Sequence, residues 1–236
     1  TNQPGGHWVQ VGEDIVGESS NERFGTSIEL SSDGTIIAIG APLADVNANP
    51  YSGKVRVYEF DGTSWNKIGQ DIDGVSWEDN SGGSVALSND GTIVAIGAGG
   101  NDQNGNNAGQ IRVYKNDAGY WIQLGYDILG EEGDKLGTSV SLANNGLTLA
   151  AGGPGSYSPP STGVVRIYEW DESNWSWNNK GSDINGESIY DDSGCSVSLN
   201  GQGTRVVIGA KYVNGNYGHA RIYDYLDGDW TQFGVD

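Results

Sequence analysis

A chain of 236 residues with 39 Gly, 12 Tyr, 8 Trp and 36% hydrophobic side chains carries enough apolar and aromatic material for one large all-β domain, and this composition excludes a disordered segment. Its 12 Lys plus Arg against 31 Asp plus Glu give a formal net charge of −19, which repels phosphate backbones and argues against nucleic acid as a partner. No apolar run approaches the ~20 residues of a membrane helix, and the lone Cys195 can form neither an internal disulfide nor a zinc site.

The chain opens at Thr1 and contains no Met, which fits a processed or excised segment. Its first element, Trp8-Val-Gln-Val-Gly-Glu-Asp-Ile-Val-Gly17, is expected to be a strand over 8–17. The same phrase returns at Trp65, Trp121, Trp177 and Trp230, at intervals of 53 to 57 residues. A period of that length is the signature of a repeat architecture. From Phe24 onward four units follow, about 24–72, 81–128, 136–184 and 193–236.

Each unit divides into four short strand candidates. The first is Phe24-Gly-Thr-Ser-Ile-Glu-Leu30 and its copies, closed by Asp33-Gly34, Asp90-Gly91, Asn145-Gly146 or Gln202-Gly203. Asp-Gly and Asn-Gly tolerate positive φ at both positions and so favour tight hairpins. The second strand is Ile36-Ile-Ala-Ile-Gly-Ala41 and its relatives, the third Lys54-Val-Arg-Val-Tyr58, and the fourth starts at the repeated Trp. Small residues early in the unit suit strands crowded at an axis, and Tyr and Trp later suit a blade that widens outward. The expected fold is a β-propeller of four-stranded antiparallel blades in a single domain over 1–236. Four blades are expected, with part of a larger propeller as the alternative. The surplus 8–17 strand would clamp the ring beside 230–236, belong to a preceding blade, or pair with another molecule.

In a propeller the fourth-to-first and second-to-third connections emerge on one face. The second-to-third connections carry Asp45-Val-Asn47-Ala-Asn49 and Asp102-Gln-Asn104-Gly-Asn106, with a remnant at Asn214-Gly-Asn216. Alternating oxygen side chains suit a hard cation such as calcium; the other reading is that they build Asx turns. The fourth-to-first connections are acidic: Glu18 and Glu22; Glu78 and Asp79; Glu131, Glu132 and Asp134; Glu187, Asp191 and Asp192. Trp77 and Tyr190 stand among them, so Trp77, Glu78, Asp79, Tyr190, Asp191 and Asp192 form the candidate binding face, an indole being suited to a sugar ring or a protein contact. Carboxylates recurring in every unit speak against a unique catalytic pair, and no Ser-His-Asp set or phosphate loop is present, so no enzyme is expected.

Arg56, Arg112, Arg166 and Arg221 each lie mid-strand, and each unit supplies one Asp ahead of an Ile (Asp71, Asp127, Asp183, with Asp14 in the first segment). One cation and one anion per unit predict structural ion pairs, because buried charge must be paired. Asn174-Trp-Ser176 is an N-glycosylation sequon.

Phe24-Gly25 followed by Gly40-Ala41-Pro42 resembles the FG-GAP repeat of integrin α-subunit propellers and their microbial relatives. The pattern decays to Gly82-Gly83 with Gly97-Ala98-Gly99, to Leu136-Gly137 with Gly152-Gly153-Pro154, and to Gly209-Ala210-Lys211. A tight Asp-Gly hairpin stands where calcium-binding integrin blades carry an Asp-rich loop. The resemblance implies a non-catalytic extracellular or cell-surface module for recognition or adhesion, taking a protein or carbohydrate ligand and steadied by calcium. Two other readings stand beside it: a structural subunit assembling with copies of itself through its terminal strands, and a lectin or glycoside-active enzyme.

Overall fold

A computed structural model describes residues 7–156, 161–212 and 217–234, and among them there is no helix. Blade 1 holds β1 (Ser27–Leu30), β2 (Ile36–Ala41), β3 (Lys54–Phe60), β4 (Trp65–Lys67) and β5 (Ile72–Asp73). Blade 2 holds β6 (Ser84–Leu87), β7 (Ile93–Ala98), β8 (Gln110–Asp117), β9 (Tyr120–Gln123) and β10 (Ile128–Leu129). Blade 3 holds β11 (Ser139–Leu142), β12 (Thr148–Gly153), β13 (Val164–Asp171), β14 (Ser176–Asn179) and β15 (Ile184–Asn185). Blade 4 holds β16 (Ser196–Leu199), β17 (Arg205–Ala210), β18 (His219–Leu226) and β19 (Asp229–Gln232).

Within each blade the four main strands pair antiparallel in chain order. In the first three blades the outermost strand breaks after its Trp segment and returns as a two-residue strand on the third: β5 on β3, β10 on β8, β15 on β13. Tight turns close the first hairpins. Asp33 Oδ1 accepts from Thr35 N (3.0 Å), Thr35 Oγ1 and Ser31 Oγ (both 2.8 Å), and Asp90 repeats the arrangement with Thr92 and Ser88. Four antiparallel four-stranded blades of a propeller-like fold are thus present as expected from the repeat.

The core lies between blades. Ala38, Val55, Val57 and Ile72 of blade 1 pack on Val85, Leu87, Val94, Ile96, Tyr114 and Trp121 of blade 2. The same faces meet between blades 2 and 3 and between blades 3 and 4. Close approach is set by glycine: a Cβ on Gly40, Gly97 or Gly152 would strike the carbonyl of Gly82, Gly137 or Gly194 in the next blade. Beside each such pair a serine crosses the junction, Ser27 Oγ to Gly82 O (2.7 Å), Ser84 Oγ to Gly137 O (2.8 Å) and Ser139 Oγ to Gly194 O (2.9 Å). At the rim the repeated Trp does likewise: Nε1 of Trp121, Trp177 and Trp230 donates to the carbonyls of Ile68, Leu124 and Lys180 of the preceding blade.

Three such junctions join four blades, and the array is open. β1 adjoins β6, β6 adjoins β11 and β11 adjoins β16, while β16 and β1 make no comparable contact. On the free side of blade 1, Ile28 and Leu30 are 63% and 50% exposed. Among the described residues, the segment expected as a strand over 8–17 pairs with no strand. Trp8 is fully exposed, and Trp65 Nε1 donates to Val11 O (3.1 Å), the bond other blades make to the fourth strand of the blade before them. It therefore lies in the seat of a preceding blade's outer strand, without a third strand to pair with.

The arginines clasp the connections that enter each blade. Arg56, 1% exposed, donates to Glu18 (2.8 Å), to the buried Glu22 (3.2 Å) and to Asp71 (3.3 Å). Arg166 pairs with Asp134 (2.6 Å) and Asp183 (2.8 Å). Arg221 reaches Glu187 at 3.6 Å and donates to Asn185 O. Arg112 departs from the expected pairing with Asp127: its Nη2 donates to Asp73 O (2.8 Å) and Ser81 Oγ (3.3 Å) instead. The reason is local. Val75 stands where Glu18, Glu131 and Glu187 stand in the other connections, and Asp127 is taken by the amides of Gln110 and Gln123.

Arg56→Ala leaves the Glu22 carboxylate buried without its cation and is expected to cost about 3–5 kcal/mol, read from chemical denaturation. Gly97→Ala, which would stabilise an ordinary strand position by about 0.5–1 kcal/mol, is expected instead to destabilise by about 1–3 kcal/mol because its methyl meets Gly137 O. Burial would raise the Asp71 pKa, but hydrogen bonds from Lys54 and Lys67 and the charge of Arg56 hold it down to about 2. Its contribution to stability is therefore full above the ordinary carboxylate value of about 4 and is lost as pH falls towards 2. In acid titrations the advantage of wild type over Asp71→Asn should disappear across that window.

Candidate functional site

Both predicted sets of connections meet on one face of the array. Each second-to-third connection is laced to the fourth-to-first connection that follows it: Glu78 N donates to Pro50 O and Asn80 N to Tyr51 O, and then Gly133 N to Asn106 O and Lys135 N to Asn107 O. The face is built from backbone-paired loops.

Each entering connection keeps one acidic residue for itself. Glu22 accepts from Glu18 N (2.8 Å), Asp79 from Ser76 N (2.7 Å) and Asn101 Nδ2 (2.9 Å), Asp134 from Glu131 N (2.9 Å), and Asp191 from Ser188 N (2.7 Å). Asp79 and Asp191 are 1% and 3% exposed. They are turn-forming carboxylates, which corrects their expected place on the binding face. The residues on either side of this buried carboxylate are left-handed: Asn21, Glu78 and Tyr190 before it, and Arg23, Asn80, Lys135 and Asp192 after it, with φ between 53° and 71°. Non-glycine residues hold that conformation at a cost of about 1–3 kcal/mol, a feature that clusters at ligand-binding positions.

All of those positions except Tyr190 line a furrow. Its larger hollow, about 510 Å³, is walled by Asn21, Arg23, Leu43, Tyr51, Glu78, Asn80, Gly100, Asp102, Asn106 and Asn107. A second hollow of about 410 Å³ shares Asn80, Gly100 and Asn107 and adds Lys135, Thr138, Asp192, Lys211 and Tyr212. Lys211 bonds Asp192 at 3.0 Å, which raises the lysine's pKa. Arg23 and Lys135 enter no ion pair among the described residues, so two cations of this acidic chain stand uncommitted at the furrow. Glu78 and Asp102 supply carboxylates in the same hollow as Arg23, and Asn21, Asn80, Asn106 and Asn107 supply amides. Such a lining suits a small ligand rich in hydroxyls and bearing an anionic group.

Of the predicted binding face, Glu78 and Asp192 reach the furrow. Trp77 is 63% exposed and Tyr190 44%, and neither lines either hollow. Of the residues expected to hold a cation, Asp45 Oδ1 accepts from Tyr51 N (3.0 Å), Asn49 Nδ2 donates to Val75 O (2.9 Å), Asp102 Oδ1 accepts from Asn107 N (2.6 Å), Asn104 Nδ2 donates to Gly130 O (2.8 Å), and Asn106 Oδ1 accepts from Asn107 Nδ2 (3.1 Å). Asn47 is left-handed at φ 48°. Most of these side chains therefore shape their loops or tie them to the next connection. Asn214 and Asn216 lie outside the described residues. Asn174 sits in the exposed β13–β14 turn, its Nδ2 donating to Asp171 Oδ2 (2.6 Å). Trp170 packs on Trp175 (5.2 Å) and Trp177 (5.5 Å), at the β13–β14 end of blade 3.

Sequence reasoning missed Arg23, Asn80, Asn107, Lys135 and Lys211. The available signal was the residue directly after the retained acid of each connection, where Arg23, Asn80, Lys135 and Asp192 align.

No family model and no curated protein matches the chain. Solved structures do. A protein of Bacteroides uniformis ATCC 8492 provisionally named a 6-phosphogluconolactonase matches with a TM-score of 0.58 at 13% identity, over 87% of this chain and 52% of that one. One of Bacteroides fragilis NCTC 9343 with the same provisional name matches with a TM-score of 0.57 at 12% identity, over 89% and 56%. Kuenenia stuttgartiensis hydrazine synthase matches with a TM-score of 0.56 at 13% identity, over 93% and 51%. The chain spans about half the length of each. At this identity the likeness establishes the fold alone. The names are nonetheless those of enzymes, and this overturns the expectation of a non-catalytic adhesion module that is not an enzyme.

Because Asp45 and Asp102 already accept backbone amides, exchanging calcium for a chelator is expected to leave the melting temperature unchanged. A rise of several degrees on adding calcium would instead place a cation in these loops.

Proposed function

We propose that the furrow is a carbohydrate site and that the protein acts on a sugar or sugar acid there, as a lectin or a glycoside- or sugar-ester-active enzyme. The observation that carries this reading is the lining of the larger hollow: carboxylates, amides, a tyrosine and an uncommitted arginine in one concave space. The provisional sugar-lactonase names of two fold neighbours add to it. Asn80, Asn106 and Asn107 would hydrogen-bond ring hydroxyls, and Tyr51 would offer an aromatic face to the ring. Arg23, with a planar fork of donors, would hold a carboxylate or phosphate substituent.

Hydrolysis of a glycoside or a lactone needs one group to activate water and one to protonate the departing oxygen. Glu78 and Asp102 are the carboxylates of the hollow and take those roles in this reading. Asp102 keeps one oxygen on Asn107 N, which fixes its orientation and leaves the other towards solvent.

The test is a panel of sugar lactones, phosphorylated sugar acids and glycosides, followed for turnover and, by calorimetry, for binding. Glu78→Gln and Asp102→Asn should each lower kcat about 10²- to 10⁴-fold with the fold intact. Arg23→Ala should weaken an anionic substrate about tenfold or more while sparing its neutral analogue. Binding without turnover anywhere in the panel would assign the furrow to a lectin.

A further inference from the structure

The furrow is one space with two chambers. Asn80, Gly100 and Asn107 bound both hollows, which therefore adjoin across these three residues. At about 510 and 410 Å³, each chamber falls in the range of roughly 300–1,000 Å³ in which proteins hold small ligands. The side chains of the shared saddle are oriented by the protein itself. Asn80 Nδ2 donates to Glu78 O (2.7 Å) and Asn107 Nδ2 to Asn106 Oδ1 (3.1 Å). Among the described residues neither carbonyl oxygen of these two amides accepts a hydrogen bond, so the saddle offers acceptors, which suit hydroxyl groups and repel anions.

The chambers differ in charge. The larger sets Arg23 against both Glu78 and Asp102, whereas the second sets Lys135 and Lys211 against Asp192 alone. In a chain of net charge −19, the second hollow is thus a place where cations outnumber carboxylates. Lys211 holds Asp192 at 3.0 Å, but an ammonium carries three donors and one carboxylate does not exhaust it. Each chamber also has a tyrosine of its own, Tyr51 in the larger and Tyr212 in the second, 43% and 42% exposed. An aromatic ring with an apolar body and a polar tip is suited to lie against a sugar. One such wall per chamber fits one sugar ring per chamber.

We infer that the furrow takes an acidic oligosaccharide of two or more units, with neighbouring rings against Tyr51 and Tyr212 and the acid group of the second ring met by Lys135 and Lys211. The inference rests on the carbohydrate reading of the furrow and adds length and charge to it. The acid is a carboxylate or a sulfate ester, because a lysine ammonium is a point charge that takes either. Arg23 meets the acid substituent of the first ring, and the acceptors of the saddle take hydroxyls between the two charges. A single sugar phosphate occupies one chamber and leaves the other to water.

Calorimetry on the whole chain at physiological salt tests this. The panel is galacturonic, glucuronic and mannuronic acids as single units and as disaccharides, sulfated galactose disaccharides with their single units, the methyl-esterified or desulfated counterpart of each, and a hexose phosphate. The best acidic disaccharide should bind about tenfold or more tightly than its own single unit and than its uncharged counterpart. The carboxylate and sulfate arms tell which acid the lysines take. Lys135→Gln and Lys211→Gln should keep the wild-type circular dichroism spectrum and each weaken that disaccharide about tenfold. Equal affinity for the disaccharide and its single unit would overturn the inference, as would an uncharged disaccharide or a hexose phosphate that binds as tightly as the acidic one. Folded lysine variants that bind the acidic disaccharide as wild type does would overturn it equally. All of these outcomes leave the carbohydrate reading standing. Failure of every member of the panel to bind up to about 10 mM would overturn both.

Discussion

The close approach of one blade's second strand to the first turn of the next is the constraint on which the rest of the structure depends. Gly40, Gly97 and Gly152 leave no room for a side chain against the facing carbonyl, and Ser27, Ser84 and Ser139 bond to that same carbonyl. Near the axis the sheets are held at backbone-contact distance, and at the rim they are held a tryptophan apart. The difference fans the blades. It also buries apolar side chains on both faces of each interior sheet, so stability comes from junctions and scarcely from the blade alone.

The loop face follows from that geometry. Because each connection is pinned at one end by a junction and at the other by an arginine, its middle is forced into a short path around a buried carboxylate. The residues flanking that carboxylate adopt left-handed backbone, and most of them line the space between blades. A furrow lined by Arg23, Glu78, Asn80 and Lys135 is thus a by-product of blade spacing, and its chemistry varies from one blade to the next without disturbing the scaffold. Variation of this kind is what lets one architecture carry unrelated activities.

Fold and repeat boundaries were legible because each depends on local pattern: the Trp phrase, the Asp-Gly turns and the small residues of the second strand. Arg56 with Asp71 and Arg166 with Asp183 were legible too, since a buried mid-strand cation requires an anion at a fixed offset. Arg112 was not, because its charge is met by a backbone carbonyl and a serine hydroxyl that no charge pattern reveals. Glu78 and Asp79 are adjacent acids in the sequence, yet one lines the furrow and the other is buried. Only the left-handed turn at Glu78 separates them. Nor does the sequence state that the array stays open, since each repeat carries the same two faces whether or not a neighbour meets them.

Size changes at the free ends follow the logic of the junctions. In the interior blades the leading face sets Ala against a larger neighbour: Ala38 with Val55, Ala95 with Ile111, Ala150 with Val165. Blade 4 reverses the order, with Val207 large and Ala220 small. Their combined volume stays close to that of Ala38 with Val55, and volume-conserving exchanges are the ones that packed interfaces tolerate. A face selected only for solvent would be under no such restriction, and polar replacement at Val207 would remove an exposed apolar patch at no packing cost. Retained apolar volume, shifted along the strand, keeps the leading face of blade 4 apolar in the manner of the interior blades.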